Sequence, residues 1–193
     1  GLALVPQMSK SIDLINSDRN IDTRWVWNYA PYLRLRYKFS KQRSFQANYR
    51  GQSSQPSITQ LQPVPDVTDP MNITIGNPDL KPSFSHNLNL RFQDFNMDAQ
   101  RSLMFNFDFT YNQNSIISKT IYDANAARTT TYTNVNGVWS GRLMNMMSMP
   151  LKDKKWTISN HIFGNASQNI GFNNGVRNTA RNFSIFERPG IAF

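Results

Sequence analysis

Three basic side chains form the most regular group of charges in the sequence: Arg34, Arg36 and Lys38 occupy alternate positions of one segment. Residues spaced by two lie on the same face of a β-strand, so this spacing predicts one charged face. The alternate residues are apolar: Leu33, Leu35 and Tyr37. A row of cations can pair with carboxylates of the protein or guide an anionic ligand. We expect pairing with protein groups, either on neighbouring strands, such as Asp94 or Asp108, or on another domain.

Other residues offer little chemistry. The two histidines, His86 and His161, lie on separate predicted strands, and no third ligand stands at a metal-binding spacing. Asp94 and Asp98 flank a predicted turn, which does not indicate a pair of acid catalysts. The sequence has no phosphate-binding glycine loop, no Gly-x-Ser-x-Gly and no His-Glu-x-x-His. We therefore expect no enzyme activity, no cofactor and no metal site.

The basic residues lie in a predicted strand, residues 25–39, whose apolar and polar positions alternate with a period of two. Strands of soluble domains usually have about 5–6 residues, whereas a tilted transmembrane strand needs about 9–11. Aromatic residues stand at both ends: Trp25, Trp27 and Tyr29 at one, Tyr37 and Phe39 at the other. This strand predicts the wall of an outer-membrane β-barrel, in which the three basic residues would face the lumen.

Similar alternation recurs along the chain, and it predicts an all-β fold: an antiparallel up-and-down meander of about eight long strands, part of a larger transmembrane β-barrel. One strand would run from residue 103 to about 120, and residues 165–178 would form a loop rich in Asn and Gly. Short connections are expected near residues 40–42, 96–100 and 150–155, and longer ones near 16–23, 51–82, 121–128 and 170–178. Because bacterial barrels have short periplasmic turns and long extracellular loops, this order places the proline-rich residues 51–82 outside the cell.

The composition excludes several protein classes. The chain has 193 residues, a formal net charge of +9 and no Cys, which excludes a disulfide framework and a thiolate metal site. The mean hydropathy of −0.54 is typical of a soluble protein, but a barrel averages a wet face with an apolar one. No run of 18 apolar residues is present, so the sequence predicts no transmembrane helix.

The positive charge is interpreted as a solvated surface, because Lys and Arg are spread along the chain. Its alternative is a footprint for lipopolysaccharide phosphates, acidic ligands or nucleic acid. A soluble β-sandwich has the same alternation. Such a basic module would bind polysaccharide or nucleic acid on exposed rings such as Trp139 or Trp156. The length of the strands favours the barrel, and we expect no nucleic-acid partner.

A short string in the predicted long loop carries the most specific family signal: Gly76, Asn77, Pro78, Asp79, Leu80, Lys81 and Pro82. With it, the sequence resembles TonB-dependent outer-membrane receptors, and more narrowly the outer-membrane β-barrel family common in Bacteroidetes. Gly and Asn tolerate backbone angles that other residues avoid, and Pro fixes its own. We interpret the string as a clamp where the loop returns to the wall, rather than as a ligand contact.

The resemblance implies more than these residues show. It implies a barrel of about 22 strands with an N-terminal plug, of which residues 1–193 are a partial wall without a plug. It also implies energised uptake of a large ligand, such as a glycan, a peptide or a metal chelate. The expected partners are outer-membrane lipid, lipopolysaccharide and an inner-membrane energy-coupling protein that acts through the missing plug. The expected location is the bacterial outer membrane, and the alternative function is a non-transporting structural or adhesive barrel.

Overall fold

The computed structural model describes residues 1–11, 21–151 and 155–193, and strands dominate them. The elements in chain order are β1 (Leu2–Ser11), β2 (Ile21–Lys38), β3 (Arg43–Ser54), α1 (Ile58–Leu61), β4 (Asn72–Thr74), β5 (Ser83–Asn96), β6 (Arg101–Gln113), β7 (Ser115–Tyr122), β8 (Arg128–Val135), β9 (Val138–Pro150), β10 (Thr157–Asn173) and β11 (Val176–Ala192). The predicted all-β class is confirmed. Among these residues, no helix is long and apolar enough to cross a membrane.

The long strands form one antiparallel sheet, here called the wall. They pair in the order β1-β2-β3-β5-β6-β9-β10-β11. The predicted strict up-and-down order is wrong, because β4, β7 and β8 leave this path. β4 adds to β8 in parallel, and β7 pairs with β8 and touches the far end of β10. Within the described residues the sheet is open, since no pairing joins β1 to β11.

The connections alternate between the two ends of the wall. One end, here called the short-turn end, holds the turns at residues 39–42 and 97–100, and the predictions there are confirmed. The other, the long-loop end, holds residues 55–82 and 114–137. The predicted connection at 16–23 lies largely outside the described residues, as does the middle of the one at 150–155.

Two predicted boundaries are wrong. Residues 165–178 form strands rather than a loop, because β10 and β11 pair without interruption up to Asn173 and Val176. Asn174 and Gly175, with φ of 48° and 75°, make the turn between them, and an Asn-Gly turn of this kind matches the twist of a hairpin. The strand predicted to continue to about residue 120 breaks at Asn114, whose φ is 52°.

The wall has two chemically different faces. The cross-strand register aligns apolar residues on one, the apolar face, in rows such as Leu35, Ala47, Leu90, Phe107 and Leu143. The opposite surface, the polar face, carries rows such as Arg34, Asn48, Asn89, Asp108 and Arg142. The alternation that predicts each strand therefore stays in phase across the sheet, as register requires when one face is apolar.

The buried apolar residues lie towards the long-loop end, in the loops and at the adjoining ends of wall strands β5 and β10. They are Leu61, Leu80, Phe84, Val135 and Ile170. The apolar face is uncovered, and Leu33 and Ile185 remain 65% and 63% exposed. The described strands form a single sheet, so no second sheet covers this face as it would in a sandwich.

Candidate functional site

A row of hydrogen-bonded side chains crosses the polar face. Arg34 Nε donates to Asn48 Oδ1 at 3.2 Å, and Asn48 Nδ2 donates to Asn89 Oδ1 at 3.2 Å. Asn89 Nδ2 then donates to Asp108 Oδ1 at 2.8 Å. The cross-strand neighbour of Asp108 is Arg142, whose Nε donates to Asn165 Oδ1 at 3.3 Å. This polar row of six side chains spans β2, β3, β5, β6, β9 and β10.

Asn48 and Asn89 each donate one hydrogen bond and accept another, so their bonds fix the orientation of the neighbouring side chains. A cavity of about 370 Å³ opens on the polar face beside Asp108, Arg142 and Asn165. The row thus offers carboxylate, amide and guanidinium groups to whatever fills the space in front of it.

The other two predicted basic residues have a different environment. Arg36 and Lys38 share the polar face with Arg34, are exposed, and have no hydrogen-bond or ion-pair partner among the described residues. The suggested partner Asp94 lies on the apolar face and pairs with arginines there. Gln46 of β3 lies between two arginines on the polar face, because its cross-strand neighbours are Arg36 of β2 and Arg91 of β5. The result is an uncompensated basic patch.

The polar face also carries an apolar patch that alternation did not predict. Its members are Met104, Met144, Met146, Phe163 and Phe186, which lie at polar-face positions towards the short-turn end. The rings of Phe163 and Phe186 are 6.4 Å apart. The available signal was the Met-rich segment of β9, in which apolar residues occupy consecutive positions and so lie on both faces.

The proline-rich segment at the long-loop end is ordered. Its Ser57 caps α1: Oγ accepts from Gln60 N, and the Gln60 side chain accepts from Ser57 N, the reciprocal pattern of a capping box. Gly76 N donates to Gln62 O at 2.9 Å, and Asn77 N donates to Gln60 O at 2.6 Å. The string therefore packs directly on the end of the helix.

The remaining residues of the string join the loop to β8. Asn77 Nδ2 donates to Tyr132 O at 3.0 Å, and its Oδ1 accepts from Asp79 N at 2.9 Å. Leu80 is fully buried, while Pro78 is exposed and Pro82 is half-buried directly before β5. These residues contact protein groups, as a clamp would. We name residues 55–82 and 114–137 together the loop cap.

Asn134 of β8 holds the two parts of the loop cap together. Its Oδ1 accepts from Lys81 N at 2.8 Å, and its Nδ2 donates to Lys81 O and Asn114 O at 2.9 and 2.8 Å. One side chain thus ties the returning loop to the start of the β7–β8 hairpin. Nothing in the sequence marks this residue among many other asparagines.

A cavity of about 450 Å³ lies within the loop cap, between the proline-rich loop and β8. Its lining includes Gln62, Asp66, Thr68 and Tyr132. Asp66 Oδ1 accepts from both Thr68 N and Thr68 Oγ1, at 3.1 and 2.6 Å. A carboxylate, an amide and a phenol around one concave surface are suited to a hydroxyl-rich or amide-rich ligand.

Aromatic residues form two bands on the apolar face. Near the long-loop end, the Tyr29 and Phe84 rings stack at 4.6 Å, and His86 Nδ1 and Tyr49 Oη lie 2.9 Å apart. Near the short-turn end, Phe92 begins the second band. The eight residue steps from Phe84 to Phe92 span about 26 Å at about 3.3 Å each, close to the ~25 Å apolar band of outer-membrane barrels.

The two histidines lie on opposite faces of the wall. His86 belongs to an aromatic band, and His161 lies on β10 beside Met146 and Arg188. Among the described residues, no group of three His, Cys, Asp or Glu is placed to hold a metal ion.

The fold and the two faces agree with the comparison to known families. The sequence model of the outer membrane protein beta-barrel family matches residues 7–188. The chain belongs to this family. Membership of the outer membrane protein beta-barrel family places the protein in the bacterial outer membrane, as predicted. No curated protein matches the chain in sequence.

Proposed function

We propose that the chain is a wall segment of a TonB-dependent outer-membrane receptor that takes up a large ligand, such as a glycan, a peptide or a metal chelate. The polar row carries the proposal. It crosses six strands on the face opposite the lipid, where the lumen of a barrel lies. Arg34, Arg36 and Lys38 would then face the lumen, since a lipid-facing charge costs about 2–4 kcal/mol at the bilayer midplane.

A plug domain would fill this lumen, and two surfaces support its presence. Arg36, Lys38 and Arg91 need anionic partners, which acidic side chains of a plug would supply. The apolar patch around Met144 and Phe163 needs apolar cover, which water does not give. Through the plug, an energy-coupling protein of the inner membrane would act on the receptor.

The loop cap would meet the ligand first. It lies at the long-loop end, which is the extracellular end of bacterial barrels, and it carries the cavity lined by Gln62, Asp66 and Tyr132. Lipid and lipopolysaccharide would contact the apolar face and its rim. We propose no catalytic role, no cofactor and no nucleic-acid partner.

The test compares the loss of the receptor with the loss of its energy source. The gene that encodes the complete receptor and the gene of the coupling protein are deleted separately in the source bacterium. Growth is then measured with one oligosaccharide, peptide or ferric chelate at a time as the only supply. We expect at least one nutrient whose uptake is abolished by both deletions.

A matched pair of variants locates the effect in this chain. Asn89→Ala interrupts the polar row, and Asn178→Ala changes an exposed residue of β11 outside it. We expect the first alone to lower uptake at equal surface abundance. The non-transporting barrel would be favoured by two results together. Every nutrient would still be taken up without the coupling protein, and the receptor deletion would lose cell adhesion.

A further inference from the structure

Three charged residues form a cluster on the apolar face at the short-turn end. Arg43 Nε and Nη2 donate to Asp94 Oδ2 at 3.1 and 2.9 Å, and Arg101 Nη2 donates to the same oxygen at 2.9 Å. The side chain of Asp94 is 8% exposed, whereas those of Arg43 and Arg101 are 44% and 35% exposed. We call these three residues the arginine cluster.

The arginine cluster lies just beyond the second aromatic band. Arg43 precedes Phe45 on β3 and Asp94 follows Phe92 on β5, each by two residues, so both lie on the short-turn side of these apolar-face rings. One spacing of two moves about 6.6 Å along a strand. The cluster therefore stands where the hydrocarbon ends and the lipid headgroups begin, since aromatic girdles mark that boundary.

The arginine cluster has more donors than it uses. Two guanidinium groups face one carboxylate, which leaves a net charge of +1. Arg101 Nε is buried and has no hydrogen-bond partner among the described residues, a condition that a native structure seldom leaves unfilled. Guanidinium groups donate in a planar fork that matches phosphate oxygens.

We propose that Arg43 and Arg101 bind the phosphate of an anionic glycerophospholipid in the leaflet at the short-turn end, with Asp94 holding the two guanidinium groups side by side. The short-turn end of a bacterial barrel is periplasmic, so the ligand is a phospholipid and not lipopolysaccharide. The inference depends on the membrane location of the family and not on ligand uptake.

The test measures lipid that remains bound to the full protein, purified in a non-ionic detergent and mixed with phosphatidylglycerol. Native mass spectrometry counts the lipids per molecule. The variant R43Q/D94N/R101Q removes all three charges and leaves no buried carboxylate unpaired. Arg188→Gln is the control, because Arg188 is exposed and lies on the polar face, on β11. Circular dichroism checks that all proteins keep the same β content.

We expect the triple variant to bind phosphatidylglycerol at least about fivefold more weakly. The variant loses the net charge of +1, and one cation near an anionic surface contributes about 1 kcal/mol. Arg188→Gln should leave binding unchanged, and phosphatidylcholine should bind more weakly than phosphatidylglycerol. Equal binding by the triple variant would overturn the proposal. So would binding of inorganic phosphate with no preference between the two lipids, or tighter binding of lipopolysaccharide than of phosphatidylglycerol.

Discussion

The same residue type has three environments in this wall. Arg34 donates along the polar row, Arg36 has no partner among the described residues, and Arg43 pairs with Asp94 on the apolar face. Alternation in the sequence predicts which face Arg34 and Arg36 occupy. It does not predict their partners, because these come from other strands and depend on register. The suggested pairing with Asp94 is wrong because Asp94 lies on the opposite, apolar face of the sheet.

The carboxylate of Asp69 in the loop cap accepts two hydrogen bonds that affect its ionisation. The side-chain amide of Asn72 and the backbone N–H of Met71 donate to its two carboxylate oxygens, and they lower the pKa of Asp69. A carboxyl with a lowered pKa in the folded state stabilises the fold above its unfolded pKa, and this contribution is lost as the pH falls through the folded value. The turn should therefore stay ordered at pH 4 and loosen only on further acidification.

The measurement is an NMR titration of the Asn72 side-chain amide between pH 2 and pH 6. We expect a midpoint below about 3.9, the ordinary value for Asp, and no titration of this amide in Asp69→Asn. A midpoint at or above the ordinary value would contradict the hydrogen bonds described.

Among the elements, most wall strands were predictable because their two faces differ in polarity. The departure of β4, β7 and β8 from the wall was not predictable. Period-two alternation predicts β2, β3, β5 and β6 with their short turns. It fails for residues 165–178 of β10 and β11, whose Asn, Ser and Gly residues are typical of a loop although cross-strand pairing holds them in register. It also misses that β6 and β9 are neighbours, because the hairpin between them pairs with the proline-rich loop instead.

The position of Gly76 tests the clamp that ends this loop. A Cβ there would overlap the backbone of Gln62 and come within 2.8 Å of Thr59 O, neither of which is a flexible side-chain end. We expect Gly76→Ala to destabilise the loop cap by about 1–3 kcal/mol. Hydrogen exchange at Leu61 and Leu80 should then become faster while β6 keeps its protection.

The control is Gly171→Ala in β10, where a Cβ would meet nothing within 4 Å. Its effect should stay within about 0.5 kcal/mol. Similar exchange in the two variants would show that the string does not clamp the loop.

The location of the buried residues indicates what environment the whole molecule needs. The loop cap has a small core around Leu61 and Leu80, whereas the buried apolar residues of the wall, Phe84 and Ile170, lie only towards its long-loop end. Its apolar face therefore needs lipid or detergent, and its unpaired edges at β1 and β11 would invite association in water. Sequence alternation predicts the two faces of the sheet. It does not predict closure, because closure depends on the number, tilt and stagger of all the strands in the barrel.

This predicts how residues 1–193 behave when expressed alone. We expect a β-type circular dichroism spectrum and a single species on sizing in detergent micelles, and aggregation in plain buffer. The reason is the uncovered apolar face, where side chains such as Leu33 are 65% exposed. A compact monomer in buffer without detergent would contradict this expectation and favour a soluble binding module.

The β7–β8 hairpin leaves the wall after β6 and returns to it at β9 without changing their pairing. Its tip, residues 123–127, closes on itself: Asp123 N donates to Ala127 O, and Asp123 Oδ1 accepts from Asn125 N and Ala127 N. Foreign sequence inserted at this tip should leave the register of every wall strand intact. The tip is therefore a position at which added sequence need not disturb the pairing of the wall strands.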